Sequence, residues 1–262
     1  MRIRRVERNA ENRMANWVSA GCGVIANELA QAMEKRGQKL YGVVNRTPEK
    51  AVAFAEKYGV QKVFTSFQDV CADPAVDIIY ISTPHNTHIH FLRKALAAGK
   101  HVLCEKPATV TAVQARELLA LARSRRLVYM EAIMMLHQPA RETVRQALRE
   151  IGAVTTARFD FSQLSSRYAA LQAGETPNIF NPAMAAGCLM DLGVYCVYPA
   201  LDFWGKPLKI RASAGFLPTG ADGWDSALFS YPGLEVSLTC SKTGQSRLGS
   251  EILGDKEIGR AA

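Results

Sequence analysis

Residues 16–35 set an apolar run, a glycine-rich turn and an amphipathic stretch in immediate succession, and few architectures accept that order. Asn16-Trp17-Val18-Ser19-Ala20 reads as a strand, Gly21-Cys22-Gly23-Val24-Ile25-Ala26 as a turn, and 26–35 as a helix with Ile25, Leu29, Ala32 and Met33 on one face. The turn carries the pattern G-x-G-x-x-A. Gly21 permits a tight turn, Gly23 lets the backbone approach a pyrophosphate, and the small Ala26 lets the helix pack closely on the strand. The N–H groups that open the helix, around Val24 and Ile25, then face the phosphates. Standing after a strand and before a helix, the pattern points to dinucleotide binding rather than to an ordinary glycine turn.

The alternation continues to about Met130. Strands are expected at 39–44, 62–64, 77–81, 102–104 and 127–130, and helices at 49–58, 67–72, 87–98 and 113–125. That pattern predicts an α/β fold with a doubly wound parallel sheet over 15–130. Beyond Ile151 the texture changes to a strand at 154–161, a polar loop over 162–182, an apolar helix over 187–204 and strands near 208–216, 226–231 and 234–240. A helix on a largely antiparallel sheet follows, making 131–262 an α+β domain.

The end of the second strand bears on the cofactor. A site for NAD usually offers an Asp or Glu there to the ribose 2′-hydroxyl. This chain has Asn45-Arg46-Thr47-Pro48-Glu49-Lys50, with no acid at Asn45. A carboxylate would repel a 2′-phosphate, whereas Asn45 and Thr47 donate hydrogen bonds, Arg46 makes a paired contact and Lys50 supplies a point charge. NADP is therefore expected. NAD stays open, because Arg46 and Lys50 also read as solvated residues opening the next helix.

A chain of 262 residues with 48% hydrophobic and 21% charged residues describes a soluble globular protein with room for two cores. Its net charge of +8 invites a nucleic-acid reading, but Arg2, Arg4, Arg5, Arg8 and Arg13 crowd the first thirteen residues and the other basic residues are scattered. No basic stripe with interleaved aromatics exists, so no nucleic-acid partner is expected. The segment 1–13 reads as a loosely docked extension. Six cysteines without C-x-x-C spacing are expected to be reduced and mostly buried, and no His, Cys, Asp and Glu spacing marks a metal site. No run approaching roughly 20 apolar residues is evident, and the N-terminus lacks a signal-peptide core. The expected location is cytoplasmic, away from membranes.

A second informative stretch is Gly99-Lys100-His101-Val102-Leu103-Cys104-Glu105-Lys106-Pro107-Ala108. Val102-Leu103-Cys104 reads as a short buried strand, so Glu105 and Lys106 leave it at the carboxyl end, where open α/β sheets bind ligands.

Four motifs in order, the Gly21–Ala26 turn, Ser82-Thr83-Pro84-His85-Asn86-Thr87-His88, the run from Ala95 through Glu105-Lys106-Pro107, and Asp191-Leu192-Gly193-Val194-Tyr195, carry a family resemblance. Together the chain resembles the Gfo/Idh/MocA oxidoreductases, in the branch of dihydrodiol dehydrogenase and glucose–fructose oxidoreductase. The resemblance spans about 17–254 and implies a Rossmann domain, a C-terminal α+β domain whose open sheet serves as an oligomer interface, and a homodimer or homotetramer. It also implies hydride transfer between NAD(P) and a sugar, polyol or dihydrodiol-like substrate. Such chemistry needs a base for the hydroxyl proton and a cation near the developing alkoxide. The resemblance assigns the cation to Lys106 and the acid/base to Tyr195, with Asp191 four residues before it on one helix face. A nearby ammonium favours a phenolate. Asp191 also reads as a partner for Lys106, and Tyr195 also as a core residue. Thr83, Pro84, Asn86, His88 and Glu105 fall on the nicotinamide-ribose side, and in relatives the bond corresponding to Lys106–Pro107 is cis. Tyr168, Asn178 and Phe180 are candidate substrate contacts in the loop before the helix.

The chain departs from the family pattern twice. Where many relatives carry Trp-Thr-Arg after Glu131-Ala132, it has Met134-Met135-Leu136, and it ends at Ala262, before the last elements of the substrate-domain sheet. A truncated reading frame with an exposed strand edge is the expectation from that ending. Two alternatives to an active dehydrogenase are an NADP-binding sensor on the same fold and an impaired, truncated family member.

Overall fold

The first ladder begins where β-branched and small residues alternate with turns. β1 (Trp17–Ala20), β2 (Gly42–Val44), β3 (Lys62–Phe64), β4 (Ile78–Ile81), β5 (His101–Cys104) and β6 (Tyr129–Glu131) form one six-stranded sheet in the order β3-β2-β1-β4-β5-β6. The ladders β1·β2, β1·β4, β2·β3 and β4·β5 are parallel. The strand order reverses beside β1, the place at which doubly wound sheets bind ligands. α1 (Val24–Glu34), α2 (Pro48–Tyr58), α3 (Phe67–Ala72), α4 (His88–Ala97) and α5 (Ala112–Ser124) supply the connections. The computed structural model describes residues 14–256 and 258–261, and they divide into two compact units. The first holds residues up to Thr83 together with Thr87–Glu105 and Val113–Met130. The expected extension over 1–13 lies outside the described residues.

The first helix corrects the sequence reading. α1 starts at Val24, directly after Gly23, and buries Ala26, Ala30 and Met33, while Ile25 and Ala32 are exposed. Small residues at 26 and 30 let the helix lie close to the sheet, so the packed row is set by approach distance rather than by hydrophobic bulk.

The second unit comprises Pro84–Asn86, Lys106–Ala112 and the chain from Glu131 onward. Its elements are α6 (Ala140–Glu150), β7 (Val154–Ser162), α7 (Tyr168–Gln172), α8 (Val194–Trp204), β8 (Lys209–Phe216), β9 (Asp222–Tyr231), β10 (Leu234–Ser241), β11 (Ser250–Gly254) and β12 (Ile258–Ala261). The sheet runs β12-β11-β7-β10-β9-β8, with β7·β10 parallel and the other ladders antiparallel. Phe159, Leu238, Val236, Phe229 and Tyr231 from the strands meet Cys196 and Ala200 from α8 in one core, with Ile151 and Ile252 at its margin. α8 therefore caps one sheet face. Along β10 the even residues Leu234, Val236 and Leu238 point into that core, as period-two alternation requires, and Cys240 is buried on the same parity.

Several elements differ from expectation. Residues 162–182, read as loop, contain α7 and short 3-10 turns at Asn178–Phe180 and from Pro182. The expected regular helix over 187–204 opens with a π-helical segment, Leu189–Gly193. α6, β11 and β12 have no counterpart in the sequence reading. The stretch Pro182–Trp204 is also long and apolar enough, by length and composition alone, to cross a membrane, contrary to the reading that no such run exists. All six cysteines are free, with Cys104, Cys188, Cys196 and Cys240 buried. The Lys106–Pro107 peptide is cis.

Leu238→Ala removes a side chain that is 4% exposed at the centre of the second core. The expected loss in unfolding free energy, measured by urea denaturation, is roughly 2–5 kcal/mol.

Candidate active site

The glycine turn of the first unit is built for close backbone approach. Gly21 has φ +120°, and a Cβ there would meet Ser82 Oγ at 2.6 Å and the Ser82 carbonyl oxygen at 2.8 Å. Its N–H donates to the Val44 carbonyl at 3.0 Å, which ties the turn to the end of β2. A Cβ on Gly23, by contrast, would meet nothing within 4 Å, so open space lies in front of it. Gly23 is the N-cap of α1, no side chain caps it, and no acidic residue stands in the first turn. The N–H groups at Val24 and Ile25 thus retain donors and positive dipole for an anion.

The end of β2 stands beside this turn. Asn45 hydrogen-bonds Cys22 and Lys50 acts on it through charge; both partly offset the burial that raises the Cys22 thiol above its usual range. Arg46 and Lys50 are exposed at the start of α2. The structure therefore brings together Gly21, Gly23, Val24, Ile25, Asn45 and Lys50, with Arg46 next in the chain. The donor set fits a dinucleotide: bare helix N–H groups for a pyrophosphate, and amide and cationic side chains without a carboxylate at the ribose position.

After β4, His88 is 0% exposed and its Nε2 lies 2.7 Å from the Thr83 carbonyl oxygen, while the Thr87 hydroxyl donates to Thr83 Oγ1 at 2.8 Å. His88 thus shapes the turn that presents Thr83. Glu105 accepts a 2.5 Å hydrogen bond from the Tyr80 phenol, and burial followed by that bond pushes the phenol well above its ordinary range.

In the second unit, Lys106, Asp191 and Tyr195 come together, joined by Lys242, which the sequence reading missed. Lys106 Nζ donates to Asp191 Oδ1 and to the Asp191 carbonyl oxygen, both at 2.8 Å. It also stands 4.9 Å from the centroid of the Tyr195 ring. Lys242 Nζ lies 2.6 Å from Asp191 Oδ2 and is 2% exposed. Both carboxylate oxygens are therefore engaged by ammonium groups. Burial alone would raise the Asp191 carboxyl, but Lys106 and Lys242 outweigh it and hold the group at about 2. The cluster carries two positive charges against one negative, leaving a net cation.

The local fold explains each position. Lys242 continues the inward parity of Leu234, Val236, Leu238 and Cys240, so an inward lysine at the end of an alternating strand was the available signal. Glu131 braces the segment bearing Lys106: its Oε1 accepts from the Ala108 N–H at 2.7 Å and its Oε2 from the Tyr198 hydroxyl. Gly193 lets the helix approach β10, since a Cβ there would meet Cys240 Sγ at 3.0 Å and Leu189 Cδ1 at 2.8 Å. Tyr195 stacks on Phe161 with ring centroids 5.2 Å apart.

A cavity of about 200 Å³ in this unit is lined by Pro84, His85, Asn178, Ile179, Met184, Ala186, Asp191 and Lys242. Asn86 Nδ2 donates to the Ala183 carbonyl at 3.0 Å, which holds the loop on that side. Asn178 thus shares a cavity with Asp191. Tyr168 instead packs on Phe180, 6.4 Å between centroids, and is not among the cavity's lining residues. Met134 opens a 3-10 turn, Met134–His137, and is exposed.

The chain matches the model of an oxidoreductase family with an NAD-binding Rossmann fold, GFO_IDH_MocA, over residues 15–133, and the GFO/IDH/MocA C-terminal domain over 138–258. It is 34% identical over 227 residues to scyllo-inositol 2-dehydrogenase (NADP(+)) IolU of Bacillus subtilis, covering 87% of this chain and 69% of that protein. Human trans-1,2-dihydrobenzene-1,2-diol dehydrogenase is 34% identical over 248 residues, covering 92% of this chain and 72% of that one. Among solved structures, KijD10, a 3-ketoreductase from Actinomadura kijaniata in complex with NADP, matches with a TM-score of 0.79 at 27% identity, covering 93% of this chain and 74% of that chain.

A carboxyl held at about 2 contributes stability that is complete above about pH 4 and is lost as pH falls toward about 2. Between about pH 5 and about pH 2 the parent should lose about 2 kcal/mol more unfolding free energy than Asp191→Asn. Parallel profiles in chemical denaturation would contradict the paired carboxylate.

Proposed function

The chain belongs to the Gfo/Idh/MocA family of NAD(P)-binding oxidoreductases, and from that premise we propose that it moves a hydride between NADP and a CH–OH carbon of a sugar, polyol or dihydrodiol-like substrate. The observation carrying this reading is the Lys106–Asp191–Lys242 cluster beside Tyr195. A bound nicotinamide would supply the hydride acceptor for the alcohol carbon, or the hydride donor for the carbonyl.

The side chains divide the remaining work. In the oxidising direction Tyr195 takes the hydroxyl proton as the C–O bond becomes a carbonyl, and in reduction it returns that proton. Lys106 places positive charge beside the oxygen while it carries negative charge in the transition state. Asp191, with both oxygens engaged, acts as the positioning residue that fixes the two ammonium groups. Lys242 leaves the cluster net positive, which favours an alkoxide over an alcohol. Asn178 would contact substrate from the cavity wall, and Thr83, Pro84, Asn86 and Glu105 would hold the nicotinamide ribose.

NADP preference is supported by Asn45 in place of an acid and by exposed Arg46 and Lys50. IolU is named for NADP(+) and KijD10 was solved with NADP, which favours the same choice. A substrate with adjacent hydroxyls on a six-membered ring is suggested by the named substrates of IolU and dihydrodiol dehydrogenase. The same reading includes a homo-oligomer formed through the sheet face opposite α8, where Trp224 and Leu228 pair across from Ser241 and Ser237.

Titration with NADPH and NADH, followed by nicotinamide fluorescence, tests the cofactor. Arg46→Ala should weaken NADPH by roughly tenfold and NADH far less, since a charge-assisted bond to the 2′-phosphate is lost. Equal losses would remove the basis for NADP. Lys106→Met should lower kcat by roughly 100-fold or more while NADPH still binds. Undiminished turnover would exclude Lys106, and tight NADPH binding by the parent without turnover of any polyol would favour a sensor instead.

A further inference from the structure

Three side chains that the hydride chemistry does not use converge under the start of the catalytic helix. Cys240 on β10 and Asp225 on β9 are direct cross-strand partners, on the parity that faces the helix. Cys188 is the residue just before the π-helical segment, three positions ahead of Asp191. One ligand atom from each of Cys188, Asp225 and Cys240 lies within 4.8 Å of the others. The two thiols are 0% and 3% exposed, Cys240 Sγ stands 3.6 Å from Asp225 Oδ2, and neither cysteine is in a disulfide.

A further oxygen donor adjoins them. Asp222 is hydrogen-bonded to Asp225, and its Oδ2 accepts from the Leu189 N–H at 2.6 Å. A Cβ on Gly187 would lie 1.9 Å from Asp222 Oδ1, so the backbone approaches this carboxylate closely and holds it against the helix start. The set is thus fixed from three sides, by β9, by β10 and by the helix.

Its chemistry discriminates among occupants. Two thiolates on a tetrahedral ion, with Zn–S near 2.3 Å, stand about 3.8 Å apart, inside the observed spread. Sulfur donors select zinc-like ions over magnesium or calcium. A disulfide would use the two sulfurs but leave a partly buried carboxylate against them without a role, whereas a cation uses all three groups. We propose that Cys188, Cys240 and Asp225 bind one soft divalent cation of the zinc class, with Asp222 as the adjoining oxygen donor. The cation is structural: it fastens the helix that carries Asp191 and Tyr195 to β9 and β10.

The test uses the full chain, purified reduced, treated with chelator and titrated anaerobically with Co²⁺. Saturation at one equivalent, with a sulfur-to-cobalt charge-transfer band and the intense visible bands of a tetrahedral site, is expected, and Zn²⁺ should abolish both. Cys188→Ala and Cys240→Ser should each weaken cobalt binding and lower the charge-transfer intensity per bound cobalt to about half, one of the two sulfur donors being lost, and Asp225→Asn should weaken binding, with far-ultraviolet circular dichroism confirming a folded chain. Should Cys240→Ser not fold, thiol counting on the parent serves instead, two thiols losing reactivity on adding Zn²⁺. Absence of the band in the reduced parent, or its survival in folded Cys188→Ala with unchanged intensity and affinity, overturns the proposal. So does a reduced chain that takes no cobalt and forms a Cys188–Cys240 disulfide in air.

Discussion

The second unit is organised around one carboxylate shared by two ammonium groups. An unpaired lysine at 2% exposure is costly to bury, and Lys242 is accommodated because Asp191 Oδ2 is 2.6 Å away. Lys106 takes the other oxygen, so neither cation can relax without releasing the carboxylate to the other. The arrangement is asymmetric in its consequences. Loss of either lysine leaves a neutral pair, whereas loss of the carboxylate leaves two like charges facing each other. A net positive cluster that holds its own geometry is what an alkoxide-stabilising site requires, because the donors need no reorganisation when negative charge develops.

That carboxylate is placed by the sheet beneath it. The register sets Phe161, Cys240, Asp225 and Ala214 in one row across β7, β10, β9 and β8. The helix start lies on this row, with Tyr195 on Phe161 and Gly193 against Cys240. A one-residue slip of β10 would turn Cys240 and Lys242 away together, so the core and the site share one register constraint. The π-helical turn adds to this, since the Asp191 carbonyl as well as its side chain accepts from Lys106.

How legible a residue was depended on how local its reason is. Gly21 and Gly23 act through the backbone of their own turn, and the flanking strand and helix are visible in the same twenty residues, so the dinucleotide turn could be read directly. Lys106 was legible because a short apolar strand ends just before it. On α1 the pattern put Ile25, Leu29, Ala32 and Met33 on one face, whereas the small Ala26 and Ala30 are buried together with Met33. Lys242 was missed although its parity with Leu238 and Cys240 marks it as inward; lysine at a strand end reads as solvated unless the partner is known. Glu131 needed the fold, because its partners Ala108 and Tyr198 are far from it in sequence. The π-helical segment left no trace, since the apolar pattern of 189–193 suits an α-helix equally. β11 buries only Ile252 deeply, too little alternation to announce a strand.

The thiol–carboxylate group shows the same limit from the other direction. Cys188, Asp225 and Cys240 stand 37 and 15 residues apart, with no spacing that reads as a ligand set, and it took β9 to β10 pairing and the helix start to unite them. Their relation to Asp191 is mechanical rather than chemical. Cys188 lies three residues before Asp191 on the same helical stretch, so whatever fixes Cys188 to β9 and β10 also fixes the carboxylate that orients Lys106 and Lys242. The proposed hydride site and the thiol group are consequently two loads on one helix terminus. A helix that must present a charged side chain within hydrogen-bond distance of two separate lysines has little freedom to fray at that end, and side chains that tie its first residue to the sheet serve the same geometry that the chemistry needs.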